Sequence, residues 1–179
     1  MGILLSDIIE VMLNNDKPIQ IKLLSKIVLV AYIFTLLWLV LFKFSFDIVY
    51  VLEEHQTRDL GLTLFTGGLR EMMYNLVVFI PFGLLLSVNF KKITFWQKLA
   101  IISFFSFAIE IIQFVLAIGV TDITDIVTNT LGGLTGLTLY IFGKTLVNSR
   151  KLDRLINITG ILIIMLLLVF RFFVIKVKY

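Results

Sequence analysis

Five apolar runs, each about twenty residues long, dominate this 179-residue chain and leave only short polar stretches between them. A run of about twenty apolar residues can cross about 30 Å of hydrocarbon as an α-helix. The chain is 59% hydrophobic and 16% charged, whereas a soluble domain is about 25% charged. The pattern therefore predicts an all-α, polytopic transmembrane helical bundle. Its predicted spans are residues 27–46, 72–90, 98–118, 125–147 and 156–174.

The N-terminal residues differ in pattern from the runs that follow. Residues 3–13 place apolar side chains on one helical face and polar side chains on the other, which is typical of an amphipathic helix at the membrane interface. Acidic residues and the lack of a small-residue cleavage site argue against a cleaved signal peptide. The predicted organisation is an N-terminal cytoplasmic or interfacial segment, 1–26, and one transmembrane bundle, 27–179, whose loop at 47–70 is too short to form a domain.

Lysine and arginine residues are concentrated in alternate connections, which indicates the orientation of the bundle. The residues expected in the cytoplasm are Lys17, Lys22, Lys26, Lys91, Lys92, Lys98, Lys144, Arg150, Lys151 and Arg154. We therefore expect a multi-pass membrane protein with a cytoplasmic N-terminus. Five spans would put the basic tail, 171–178, outside. Either the fifth run does not fully cross or the upstream charges outweigh the tail, and the second interpretation is favoured. Because the basic residues flank spans, no nucleic-acid partner is predicted.

The residue types that are missing narrow the chemistry. The chain has no cysteine, and its single histidine, His55, lies in a polar loop. A thiol nucleophile, a multi-histidine metal site and a histidine-based triad within one chain are therefore excluded. We predict no resident metal or cofactor, although carboxylates could hold a divalent cation.

Polar residues within the apolar runs or at their ends are the candidate ligand-binding residues. They are Arg70, Glu71, Asn75, Glu110, Gln113, Asp122, Asp125 and Asn129. A carboxylate in hydrocarbon costs about 3 kcal/mol or more unless it faces a protein interior or a wet cavity. Glu110 and Gln113 share one helical face, as do Asp122, Asp125 and Asn129. In the expected orientation these residues lie toward the outer leaflet, so we predict a polar cleft open to that side.

Structural interpretations compete with a binding role at several of these positions. Asp122 could act only as the cap of a helix that begins there. Arg70 and Glu71 could form an interfacial pair at the start of the second span. Glu110 could be a buried carboxylate that is kept neutral or is paired with Arg70 or Gln113.

Small residues continue the polar stripe of the fourth span. Gly132 and Gly136 form a small-xxx-small pair, which lets another helix approach closely. Packing within the bundle is the favoured interpretation, and a homo-oligomer through this face is the alternative. Pro81 removes a backbone donor in the middle of the second span, and we expect a kink there.

The order and spacing of these motifs resemble the VanZ-like family of small bacterial membrane proteins. The motifs are Arg70-Glu71-x-x-Tyr74-Asn75 with Phe79-Ile80-Pro81-Phe82-Gly83, then Glu110-x-x-Gln113, then Asp122-x-x-Asp125-x-x-x-Asn129-x-x-Gly132-x-x-x-Gly136. The resemblance covers about residues 70–143. Many members carry an arginine shortly before the acidic turn, where this chain has Gly119-Val120-Thr121, so no role is expected for a cation at that place. The resemblance implies a bacterial cytoplasmic membrane protein associated with resistance to the glycopeptide teicoplanin, and it implies no particular reaction.

Three functions agree with these observations. The favoured one is a binding protein whose cleft recognises the polar headgroup of a cell-wall lipid precursor or a lipoglycopeptide. An enzyme is the less favoured alternative, a membrane-embedded hydrolase or transferase of a lipid-linked envelope substrate with Glu110 or Asp125 as catalytic base or as a ligand to a divalent ion. The third is an ion-coupled carrier in which Glu110 titrates, although no inverted repeat is evident.

Overall fold

Five long helices make up most of the part of the chain that the structure describes. The computed structural model describes residues 18–41, 59–61, 68–116 and 120–178. The helices are α1, Pro18–Leu41; α2, Leu69–Asn89; α3, Phe95–Leu116; α4, Ile123–Leu146; and α5, Ser149–Lys178. All five are long and apolar enough to cross a membrane, which confirms the predicted all-α, five-span bundle. The amphipathic helix predicted at 3–13 lies outside the described residues.

Helix starts are set by local capping rather than by the edges of the apolar runs. At the start of α3, the Gln97 backbone N–H donates to Thr94 Oγ1 at 3.3 Å, and the Thr94 backbone N–H donates to Gln97 Oε1 at 3.0 Å. This reciprocal pair is a capping box. Asn148 Oδ1 accepts the Arg150 backbone N–H at 2.9 Å and caps α5. Because hydropathy does not register caps, α5 begins at Ser149 instead of the predicted residue 156.

A short pair of strands supplements the helices. β1, Asp59–Gly61, pairs in parallel with β2, Val120–Asp122, and Gly61 lies opposite Asp122. The pairing fixes part of the loop after α1 against the connection between α3 and α4. These strands were not predicted, because three-residue strands carry too little sequence pattern to be recognised.

Helices α2 and α4 approach until their backbones touch. A Cβ atom added to Gly132 would lie 2.1 Å from the Leu76 carbonyl oxygen, and one added to Gly136 would lie 2.2 Å from the Ile80 carbonyl oxygen. The contacts advance together along both helices, so α2 and α4 run in the same direction. The packing interpretation of the two glycines is confirmed. This face is covered by α2 of the same chain, and homo-oligomerisation stays a prediction that needs another surface.

An aromatic and aliphatic core fills the space between α1, α2 and α3. Phe79 and Phe82 are buried on α2, and both rings contact Phe105 of α3. Tyr32 of α1 is 2% exposed, and its hydroxyl donates to the Val78 carbonyl oxygen at 2.8 Å. This bond lies within one turn of Pro81, where α2 continues as a helix. This hydrogen bond thus holds α1 against α2 beside the turn in which Pro81 removes a backbone donor.

One carboxylate, that of Asp153, joins three elements at the end of the bundle where α2 and α4 end. Asp153 of α5 forms an ion pair with Lys91, which lies in the turn between α2 and α3. The other Asp153 oxygen accepts the hydroxyl of Tyr140 of α4 at 2.8 Å. Asp153 therefore links the α2–α3 turn, α4 and α5 at the lysine-rich end of the bundle.

Candidate functional site

The site is built around the first turns of α4. Asp122 Oδ1 accepts the Thr124 backbone N–H at 2.8 Å, in the geometry of a helix cap. Asp122 therefore caps α4, and a binding role for it beside the cap stays a prediction. Asp125 follows in the first turn of α4 and is 5% exposed, and Asn129, one turn later, is fully buried. The α4 stripe predicted from the sequence therefore faces the protein interior.

Glu110 of α3 supports the backbone at the entry to α4. Its carboxylate is 1% exposed, and Oε2 accepts the Asp122 backbone N–H at 3.1 Å. Glu110 thus binds the backbone of Asp122, and the Asp122 side chain caps α4. This geometry gives Glu110 a positioning role at the α3–α4 connection.

Asn75 and Asp125 join α2 to α4. Asn75 Nδ2 donates to Asp125 Oδ1 at 2.7 Å, and both side chains are buried. A hydrogen bond to a charged acceptor is among the stronger ones in proteins. Gly132 faces the carbonyl of Leu76, the residue after Asn75, so this polar contact lies beside the closest backbone approach of α2 and α4.

Two buried amide side chains use their donors and leave their carbonyl oxygens unused. Asn129 Nδ2 donates to Ser106 Oγ at 2.9 Å, and Gln113 Nε2 donates to the Val40 carbonyl oxygen of α1 at 3.0 Å. Within the described part of the chain, Asn129 Oδ1 and Gln113 Oε1 accept no hydrogen bond. Buried polar atoms are nearly always paired with protein or ordered water. These two oxygens are therefore open acceptors.

The structure brings together most of the predicted site residues. We call Asn75, Ser106, Glu110, Gln113, Asp122, Asp125 and Asn129 the amide–carboxylate cluster. Arg70 lies outside it, exposed in the first turn of α2, and Glu71 is half-buried. All the predicted site residues lie on α2, on α3 or around the start of α4, while the basic turns lie at the far ends of α2 and α4.

Sequence reasoning missed Ser106, Thr124 and Thr128, all of which are buried within or beside the cluster. Ser106 lies four residues before Glu110 and seven before Gln113, so the helical period places all three on one face. That spacing was the available signal. Hydroxyl residues in apolar helices are otherwise inconspicuous, because they often satisfy themselves with a carbonyl of the preceding turn, as Thr128 does with Thr124 at 3.0 Å.

The arrangement of carboxylates bears on the predicted divalent cation. Over the ranges that the structure describes, no three Asp, Glu or His side chains converge as a metal-binding group. Asp122 and Asp125 each accept a hydrogen bond from the protein, and Glu110 accepts a third. Each of these carboxylates thus has a partner in the protein, and a divalent cation held by the cluster stays a prediction.

Comparisons with known proteins agree with the sequence motifs. A family model described as VanZ/LLP1 matches residues 29–146. A curated relative, Protein VanZ of Enterococcus faecium, is 53% identical over 152 residues, which cover 84% of this chain and 94% of the relative. No solved structure matches significantly. The resemblance inferred from the motifs is confirmed, and it begins at residue 29 instead of about 70, so the second half of α1 is part of the shared region.

Proposed function

Because the chain belongs to the VanZ/LLP1 family, we propose that it contributes to glycopeptide resistance, with teicoplanin as the relevant antibiotic, by binding a polar headgroup at the amide–carboxylate cluster. The resistance part of the proposal is supported by family membership and by the Enterococcus faecium relative. The binding part is supported by the geometry of the cluster.

The observation that carries the binding proposal is the pair of open acceptors, Gln113 Oε1 and Asn129 Oδ1. Both side chains are at most 1% exposed. Leaving a buried carbonyl oxygen without a donor costs about 1–3 kcal/mol. A site with surplus acceptors favours a ligand rich in N–H and O–H donors. Sugar hydroxyls and peptide amines have this chemistry, and both occur in lipid-linked cell-wall precursors and in lipoglycopeptides.

The position of the cluster suits such a ligand. The cluster lies toward the ends of the bundle where α2 and α4 begin, and the lysine-rich turns lie at the opposite end. The positive-inside rule then directs the cluster to the outer leaflet and the N-terminus to the cytoplasm. Arg70, exposed at the same end, is placed to receive a phosphate or carboxylate of the bound headgroup.

The test is teicoplanin susceptibility of a strain that lacks this protein, complemented with wild type, Gln113→Ala, Asn129→Ala or Thr138→Ala at matched membrane levels. Thr138 is the control, because it lies on the exposed face of α4 and its hydroxyl, among the described residues, bonds to the Leu134 carbonyl of the preceding turn. We expect wild type and Thr138→Ala to restore tolerance and the two amide variants to lose it. Full tolerance in both amide variants would contradict the proposed site.

The enzyme and carrier alternatives remain hypotheses with a separate test. The binding proposal needs neither Glu110 nor Asp125 as a catalytic group, and the described hydrogen bonds of both support a role in positioning. A hydrolase or transferase would require activity of the purified protein on a lipid-linked substrate. Dependence of that activity on a divalent ion, together with its loss in Glu110→Gln, would replace the binding proposal by the enzyme.

A further inference from the structure

We propose a second binding site, for the phosphate group of an anionic ligand, at the lysine-rich end of the bundle. A cavity of about 160 Å³ lies there between the end of α2, the start of α3 and the end of α4. Its polar lining consists of Ser87, Lys91, Lys98, Tyr140, Lys144 and Ser149. We call it the lysine cavity. It lies at the opposite end of α2 and α4 from the amide–carboxylate cluster and shares no residue with it.

The central observation is the environment of Lys98. It lies in the first turns of α3, lines the lysine cavity, and is only 8% exposed. Within the described ranges, no carboxylate forms an ion pair with it and its ammonium donates no hydrogen bond. The Lys98 stem is covered by protein, and its ammonium group opens into the cavity instead of being fully enclosed. A partly desolvated ammonium without a counter-charge is unfavourable, whereas a neighbouring anion offsets that cost. Lys98 therefore marks a place where an anion is favoured.

The remaining charges around the cavity strengthen this conclusion. Asp153 of α5, whose carboxylate lies at this end of the bundle, already binds Lys91 with one oxygen and Tyr140 with the other. Within the described ranges it forms no ion pair with Lys98 or with the exposed Lys144. Lys144 lies over the ring of Tyr140, at 5.8 Å from the ring centroid, on the side of the cavity formed by α4. Two cations flank the space that one phosphate group would fill.

Hydroxyl groups in the lining complete a phosphate-binding chemistry. Ser87 of α2 is 2% exposed, and Ser149 is half-buried at the start of α5. Both hydroxyls can donate to phosphate oxygens, as lysine ammonium groups do. The combination of hydroxyls and lysines selects an oxyanion over a hydrophobic ligand.

An anionic membrane lipid is the source that the location favours over a soluble phosphate. Basic pockets between transmembrane helices on the cytoplasmic side suit anionic lipid headgroups, and the lysine-rich end is the one that the positive-inside rule assigns to the cytoplasm. Lys91 also lines an adjacent cavity of about 490 Å³, to which Lys22, Lys26 and Lys92 contribute. This second basic space extends the positive surface toward α1 and toward the surrounding lipid.

The experiment measures lipid preference by fluorescence quenching in vesicles. Trp96 lies two residues before Lys98 and is 74% exposed, so it reports on lipid at this end of α3. In a Trp38→Phe background, the purified protein is reconstituted with brominated phosphatidylglycerol or brominated phosphatidylcholine, and the relative binding constant is obtained from quenching. A second arm adds inorganic phosphate to protein in phosphatidylcholine vesicles and records the unfolding temperature.

Lys98→Met is the test variant, Lys98→Arg keeps the charge, and Lys151→Gln is the control because Lys151 is exposed at the same end outside the cavity. We expect phosphatidylglycerol to be preferred, with the preference reduced about fivefold in Lys98→Met and kept in Lys98→Arg and Lys151→Gln. Stabilisation by inorganic phosphate that Lys98→Met abolishes would support the site with a soluble ligand. Equal preference in Lys98→Met and Lys151→Gln, with no phosphate effect, would overturn the proposal.

Discussion

The close packing of α2 on α4 makes a sharp prediction for Gly136→Ala. The new Cβ would lie 2.2 Å from the Ile80 carbonyl oxygen and 3.1 Å from Gly83 Cα, both of which are backbone atoms. An ordinary contact needs about 3.5 Å, so the helices must separate locally by about 1 Å. Overpacking of this kind costs about 1–3 kcal/mol. Replacing glycine by alanine in a helix gains about 1 kcal/mol. Because backbone yields less readily than a side chain, we expect a net loss of about 2 kcal/mol.

Gly143→Ala is the matched control on the same helix. Its new Cβ would meet the Leu152 side chain at 3.0 and 3.1 Å, where the tip of a flexible side chain can move aside. Here the helix-propensity gain of about 1 kcal/mol should balance or exceed the contact cost. We therefore expect Gly143→Ala to match or exceed wild type in stability, and Gly136→Ala to fall below it.

Unfolding of the purified variants in detergent micelles, followed by circular dichroism against a denaturing detergent, measures this difference. Gly136→Ala should be less stable than Gly143→Ala by about 2–3 kcal/mol. Equal stability of the two variants would show that α2 and α4 can separate at little cost. In that case the glycine contacts could not be what aligns Asn75 with Asp125.

Three further predictions concern the hydrogen bonds of the bundle. Glu110→Gln keeps an acceptor for the Asp122 backbone N–H, so its stability in micelles should equal that of wild type. Glu110→Ala removes the acceptor and should lower the free energy of unfolding by about 1–3 kcal/mol. Equal losses in the two variants would mean that the charge of Glu110 matters more than its hydrogen-bond acceptor. Asn75→Ala should lose about 2 kcal/mol, because it leaves the buried Asp125 carboxylate without this donor, and an unchanged unfolding curve would contradict the bridge. Tyr32→Phe removes the hydroxyl that binds α2 and should cost about 1 kcal/mol in the same assay, with no effect expected on teicoplanin susceptibility.

The fold followed from hydropathy because the membrane leaves few alternatives for twenty apolar residues. Only a helix satisfies its own backbone in hydrocarbon, so each apolar run predicts one element. The boundaries did not follow as well. α1 begins at Pro18 rather than at the predicted residue 27, because lysine residues near the interface remain good helix formers and proline suits a first helical position. Hydropathy indicates which part of a helix lies in the lipid, and it does not indicate where the helix itself begins or ends.

The sequence predicted which residues form the candidate site better than it predicted their hydrogen-bond partners. Helical spacing correctly grouped Glu110 with Gln113 on one face, and both side chains are buried. Their partners were not predicted, because Gln113 binds a backbone carbonyl of α1 and Glu110 binds a backbone N–H at the entry to α4. Backbone partners carry no residue-type signal. The exposure of Arg70 was also not predicted, since an arginine at a span end reads the same whether it faces a cleft or the solvent.

The two ends of α4 give the bundle a chemical polarity that neither end would have alone. Its first turns carry Asp125 and Asn129 among acceptors, and its last turn carries Lys144 beside a cavity that favours an anion. Between them, Gly132 and Gly136 let α2 lie against α4 over several turns, so α2 contributes to both ends in a fixed register. A helix pair joined through backbone contacts transmits position better than one joined through long side chains, because it has fewer rotamers in which to slip. The α2–α4 contacts therefore fix where the α2 residues of the two ends, Asn75 and Ser87, lie relative to α4.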